Sequence, residues 1–171
     1  SLTSLWQYKS GRSTALSMPP EVVGDSVVLY SGNYQLTALS VENGTVEWRG
    51  PKINPRTDAS SVDLIIGNKR AFRSHSDKIV SWRLKNGDIE WKYKSGSLGG
   101  IYSIGHYEES KNHFIGFDSN DGVFKLDKSN GSLDAVWNID KPAAGANYKD
   151  GVIYIGQSWT PEGAEGQRKG G

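Results

Sequence analysis

Four side chains within eight residues, His106, Glu108, Glu109 and His113, are of types that hold a metal. Imidazole nitrogens and carboxylate oxygens are the usual non-thiolate ligands of zinc. The stretch that carries them, residues 106–113, reads better as a polar hairpin turn, so no metal site is assigned. Asp118-Ser119-Asn120-Asp121-Gly122 offers oxygen ligands in the manner of a calcium loop. Its glycine falls one position too early for that pattern, and no glutamate follows at the required distance. A turn between strands is expected there. Asn43-Gly44-Thr45 and Asn130-Gly131-Ser132 are formal glycosylation sequons, of consequence only in a eukaryotic secretory protein. The chain has no cysteine, which removes disulfides, thiolate zinc sites and a cysteine nucleophile. No catalytic, cofactor-binding or metal-ligating residue is assigned.

Composition narrows the class further. Twenty basic and 19 acidic residues leave a formal net charge of +1. Such a balance exerts no long-range pull toward nucleic acid or an anionic membrane. Gln167-Arg168-Lys169 is the only basic cluster and is short. No apolar run approaches the roughly 18 residues that span a bilayer, and no signal peptide is visible. Frequent Gly, Trp and Tyr with few aliphatics suit strands joined by many turns.

What must position these side chains is a repeat. Asn43-Gly44, Asn86-Gly87 and Asn130-Gly131 put glycines 43 and 44 residues apart. Trp48, Trp91 and Trp137 follow them, 43 and 46 residues apart, and Trp6 lies 42 residues before Trp48. A fixed period of this size marks a repeat protein. In the second repeat, residues 71–74, 79–84 and 88–93 read as strands, 79–84 with the alternation of a half-buried strand. Asn86-Gly87 between the last two predicts a type I′ turn, in which both central residues take positive φ. The first repeat gives strands at 26–30, 34–41 and 45–49, and the third at 112–117, 122–127 and 133–137. Two extra residues before Trp137 predict a bulge or a longer turn. Segments 60–66 and 100–104 supply a missing first strand.

Four strands of about six residues with four short connections fill one period. A four-stranded antiparallel unit of this length is a propeller blade. The fold class expected is all-β: a partial β-propeller of about four four-stranded antiparallel blades, part of a seven- or eight-bladed ring or half of one. Residues 1–11 are expected as the outer strand of a closing blade. Residues 12–52, 53–94 and 95–140 are three blades, and 141–171 begins an incomplete one. The tryptophans sit near the ends of the outer strands on the buried face, filling the gap between blades. Trp159 lies off the ladder and is a candidate partner contact.

The stretch from Leu36 to Trp48, with Ala38-Leu39, Gly44 and Trp48 in place, resembles the tryptophan-docking repeat of quinoprotein-like (PQQ-like) β-propellers. Gly87 and Trp91 match at the same spacing, and Leu126-Asp127 supplies the Leu-Asp pair of that pattern. Asn stands where Thr is usual before each Gly, and Ser40 where Asp is usual. The resemblance implies that Trp6, Gly44, Trp48, Gly87, Trp91, Gly131 and Trp137 are structural docking residues. Trp82 in the second repeat is similar to the tryptophan of WD40 repeats, but Leu39 and Leu126 occupy the matching sites.

The resemblance further implies a non-catalytic, protein-binding scaffold outside the cytoplasm, in the periplasm, at the cell surface or secreted, similar to periplasmic or lipoprotein propellers. Expected partners are proteins, and the remaining blades of the same propeller or a second copy. Irregular stretches 50–59 and 158–171 are the expected contact loops. No cofactor is expected. The alternative is the N-terminal blades of a PQQ- and calcium-dependent dehydrogenase. Such enzymes commonly stack the quinone between a Trp and a Cys-Cys disulfide, which this chain cannot make.

Overall fold

A computed structural model describes residues 3–10, 19–31, 34–53, 64–67, 69–75, 78–94, 101–106, 112–118, 122–137, 143–149 and 152–157. Every regular element among them is a strand. The first sheet takes β1 (Glu21–Val23), β2 (Ser26–Ser31), β3 (Gln35–Ser40) and β4 (Val46–Arg49). The second takes β5 (Ile65–Gly67), β6 (Arg70–His75), β7 (Lys78–Arg83) and β8 (Ile89–Lys94). The third takes β9 (Ile101–His106), β10 (His113–Asp118), β11 (Gly122–Asp127) and β12 (Leu133–Trp137). β13 (Ala143–Lys149) and β14 (Val152–Gln157) form a two-stranded sheet. Within each four-stranded sheet, spatial order follows chain order, so each is a meander. The expected strand over 1–11 does not form among residues 3–10, since no other described strand pairs with it.

The chain divides into two compact units, Ser1–Arg73 with Val80–Trp91, and Ser74–Ile79 with Lys92–Gly171. The first unit has a core that joins Tyr30, Leu36 and Ala38 to Ala71, Val80 and Trp82. Its inner strands are buried on both faces, so they read as near-continuous apolar runs. Val28 to Ser31 in β2 and Val80 to Trp82 in β7 are all buried. This replaces the half-buried alternation expected over 79–84. Arg73 is buried with them, its guanidinium carbon 4.0 Å from the Tyr30 ring centroid. Burial pushes the Tyr30 phenol up and the Arg73 guanidinium down from their ordinary values. In the second unit, Phe114, Val123, Phe124 and Leu126 are buried, Tyr93 meets Phe124 at 5.6 Å, and β13 lies against β10.

The hairpins at the repeated Asn-Gly pairs differ from the expected type I′ turn. Gly44, Gly87 and Gly131 have φ of 70°, 75° and 74°, while Tyr34 and Lys69 are the only non-glycine residues with positive φ among those described. Asn43, Asn86 and Asn130 are therefore not left-handed. The loop is longer by two residues. Ser40 N–H donates to the Thr45 carbonyl at 2.8 Å, and Gly44 N–H to the Ser40 carbonyl at 2.9 Å. The same pair recurs at Arg83, Asp88 and Gly87, and at Asp127, Ser132 and Gly131. Four-residue hairpins of this kind need one left-handed residue, at the end, and glycine takes that conformation without steric cost. Asn is selected for a different reason. Its side-chain oxygen accepts the N–H two residues on: Thr45 at 3.0 Å, Asp88 at 3.2 Å and Ser132 at 2.8 Å. Ser40 and Asp127 do the same at the loop's start, for the N–H groups of Glu42 and Ser129. Serine thus substitutes for aspartate without loss of the bond.

On Gly44 and Gly87 lie the tryptophans of the preceding repeat. A Cβ on Gly44 would stand 2.5 Å from Trp6 Cε3, and one on Gly87 2.4 Å from Trp48 Cε3. Trp6 Nε1–H also donates to the Val41 carbonyl of the same loop, at 2.8 Å. Alanine at Gly87 would combine a left-handed φ, which costs an L-residue roughly 1–2 kcal/mol, with displacement of the indole. Gly87→Ala is expected to lose more than about 2 kcal/mol on chemical denaturation. Gly24→Ala is the control: its φ is 58° and a Cβ there meets nothing within 4 Å. It should lose only the backbone part, about 1 kcal/mol. Equal losses would show that docking adds nothing to the left-handed requirement.

Candidate functional site

Beyond the first and third loops the return strand carries the same irregularity. Val46 pairs with Leu39 and Trp48 with Ala38, which leaves Glu47 as the extra residue of a bulge. Leu133 pairs with Leu126 and Ala135 with Lys125, which leaves Asp134. The bulge of the third repeat is therefore not an accommodation of extra residues before Trp137, since the first repeat has it too. Ala135 holds the place that Trp48 holds in the first sheet. Trp137 comes one step further along the strand, opposite Val123, and is 41% exposed. No Asn-Gly pair follows it in the sequence. Trp91 is buried, its ring 5.8 Å from that of Phe72. Trp159, Glu108 and Glu109 lie outside the described residues, as do residues 54–59 and 158–171.

The bulge aims a carboxylate across the sheet at the first residue of the second strand. In the first sheet Ser26 donates to Glu47 Oε2 at 2.6 Å. Glu90, at the same distance from its glycine, takes both Arg70 nitrogens, Nη2 at 3.0 Å, and Arg83 Nε at 3.5 Å. In the third sheet His113 Nε2 lies 2.7 Å from Asp134 Oδ2. His113 opens β10, within the strand expected over 112–117, and faces the carboxylates of β11 and β12. Asp127, Asp134 and His113 offer ligand atoms all within 4.8 Å of one another. Sequence reasoning missed this set because its members are spread over 22 residues and three strands. The repeat itself held the clue: the residue three after each Gly is acidic.

The outer strands also differ in what they show to solvent. Arg49, Lys92 and Val136 stand at equivalent places, five residues after Gly44, Gly87 and Gly131, and all three are exposed. β12 is an edge of its sheet. Leu133 and Val136 face one side of it, opposite Leu126 and Phe124, and Trp137 the other. Their exposures are 47%, 44% and 41%. Native edges are usually guarded by Lys or Arg against strand addition. β4 and β8 keep that charge and β12 does not.

The Arg70 and Arg83 partners of Glu90 give a test by pH. The Arg70 hydrogen bonds hold the Glu90 carboxyl below its ordinary value of 4.5, with the charges of both arginines adding to the effect. A carboxylate depressed on folding stabilises the fold above its ordinary value, and that contribution disappears as pH falls through the folded value. Glu90→Gln is expected to cost about 1 kcal/mol at neutral pH. The difference from the parent chain should shrink toward zero as pH drops below 4.5. Denaturant titrations at several pH values read this directly, and a pH-independent difference would refute the ion-pair account.

Comparison with known proteins agrees with this architecture. A family model described as "Outer membrane protein assembly factor BamB" matches residues 3–103. The crystal structure of BamB from Moraxella catarrhalis superposes with a TM-score of 0.68 at 14% identity, over 90% of this chain and 47% of that one. The present chain thus spans about half of that protein's length. The computationally designed Ika4 protein gives a TM-score of 0.66 at 13% identity, over 92% of this chain and 93% of that one. The quinohemoprotein alcohol dehydrogenase ADHIIG from Pseudomonas putida HK5 gives 0.59 at 14% identity, over 75% of this chain and 21% of that one. Identities this low speak to fold alone. No curated protein gave a significant match. Among the described residues no helix is long and apolar enough to cross a membrane. The fold is a partial β-propeller built from PQQ-like repeats, and the chain belongs to the family of the outer membrane protein assembly factor BamB.

Proposed function

We propose that this chain is a non-catalytic scaffold that binds a protein partner outside the cytoplasm, in the assembly of outer-membrane proteins. The observation that carries the reading is the unguarded edge of β12. Val136 replaces the charge of Arg49 and Lys92, and Leu133 and Trp137 flank it with exposed apolar surface. An edge strand satisfies its free N–H and C=O groups by pairing with an added strand, while alternate side chains supply specificity. The family description supplies the context of outer-membrane assembly. The same context supports an extracytoplasmic location.

The dehydrogenase reading rests on the likeness to ADHIIG, which extends over 21% of that enzyme. The residues of this chain do not fit the quinone clamp the family resemblance implies, because that clamp needs adjacent cysteines and the chain has none.

The test is Val136→Lys, which gives β12 the charge its counterparts carry. The variant is expected to unfold at the same denaturant concentration as the parent chain. Affinity for a purified component of the outer-membrane assembly machinery should fall by at least about 10-fold, or 1.4 kcal/mol. Unchanged affinity would place the contact elsewhere. Dye-coupled turnover on addition of PQQ and calcium would overturn the non-catalytic reading.

A further inference from the structure

The three polar clusters beside the hairpin loops occupy equivalent places but differ in chemistry. The first sheet puts one carboxylate, Glu47, beside the hydroxyl of Ser26. The second neutralises Glu90 with Arg70 and Arg83. The third joins two carboxylates, Asp127 and Asp134, to one imidazole, His113. Here alone the cluster consists entirely of metal-ligand types. We propose that His113, Asp127 and Asp134 form a binding site for a divalent transition-metal ion, with zinc as the ion of choice.

The geometry suits such an ion. The donors come from three adjacent strands, so the ladder fixes their spacing before any ion arrives. Ligands about 2.0–2.1 Å from a tetrahedral zinc stand roughly 3.3 Å from one another. The 2.7 Å separation of His113 Nε2 and Asp134 Oδ2 must open slightly, and the 4.8 Å span of the set must close. Both are side-chain adjustments. The outer contacts of the carboxylates are already in place. Ser129 donates through its backbone N–H and its hydroxyl to Asp127 Oδ1. Ser132 Oγ lies 3.5 Å from Asp134 Oδ1, on the oxygen that His113 does not use. Such partners orient metal ligands and raise affinity. Lys128, the next residue, holds its ammonium over the Phe114 ring at 4.9 Å. One nitrogen with carboxylate oxygens favours zinc over calcium or magnesium, which take oxygen ligands. Asp134 is exposed, so the ion has an entry path and a fourth position open to water.

The measurement is competition between the untagged chain and a chromophoric zinc chelator, read as stoichiometry and affinity. One zinc per chain is expected, with a dissociation constant below about 10 µM. His113→Gln and Asp134→Asn should each weaken binding by at least about 10-fold. Glu90→Gln, at the equivalent place in the second sheet, should leave it unchanged. The other two histidines of the chain, His75 and His106, provide the competing explanation. Wild-type zinc affinity in His113→Gln would assign the ion to them and overturn the proposal, as would absence of binding at about 100 µM zinc. If His113→Gln fails to fold, Asp127→Asn carries the same test.

Discussion

An indole lying flat on a peptide group is the contact on which the rest of this architecture depends. It requires a residue with no Cβ in a left-handed conformation, and Gly44 and Gly87 meet both conditions. The left-handed glycine exists because the hairpin has four loop residues closed by two backbone hydrogen bonds. That loop is held in turn by an asparagine oxygen that caps the N–H two residues on. The loop and the bulge after it form one local unit, the dock ties that unit to the tryptophan of the preceding repeat, and repetition of the unit repeats the sheet.

This locality explains what the sequence discloses. The spacing of Asn-Gly and Trp makes the repeat plain, and four-stranded meanders follow from strand lengths and turn residues. The turn type does not, because Asn-Gly suits both a two-residue hairpin with two left-handed residues and a four-residue hairpin in which only the glycine is left-handed. Trp137 deceives for a related reason. Counting along the chain aligns it with Trp48, whereas the ladder aligns Ala135 with Trp48, and register is a property of paired strands. Burial of Ile79 through Trp82 on both faces is equally invisible, since it depends on what packs against each side of the sheet. The cluster of His113, Asp127 and Asp134 needs three strands in register before its members meet.

A constant backbone with variable side chains separates stability from specificity. The position five residues after the loop glycine carries Arg49, Lys92 or Val136, and the backbone around it is unaffected by the choice. The first residue of the second strand carries Ser26, Arg70 or His113 opposite a bulge carboxylate in the same way. None of these positions supplies the atoms that meet the docking glycines Gly44 and Gly87. Function in such a fold resides in departures from the repeat, and the third sheet holds two of them.

The asparagine cap bears on chemical ageing. Asn-Gly is the dipeptide most prone to deamidation, in which the glycine nitrogen loses its proton and attacks the asparagine side-chain carbon. In each loop that nitrogen donates its hydrogen to a carbonyl four residues back, and the asparagine oxygen is held by another N–H. Both reacting groups are therefore restrained in the native hairpin and released together when it opens. Three of the most labile dipeptides in protein chemistry are placed where folding itself protects them, so the lifetime of the covalent chain is tied to the fraction of time it spends unfolded.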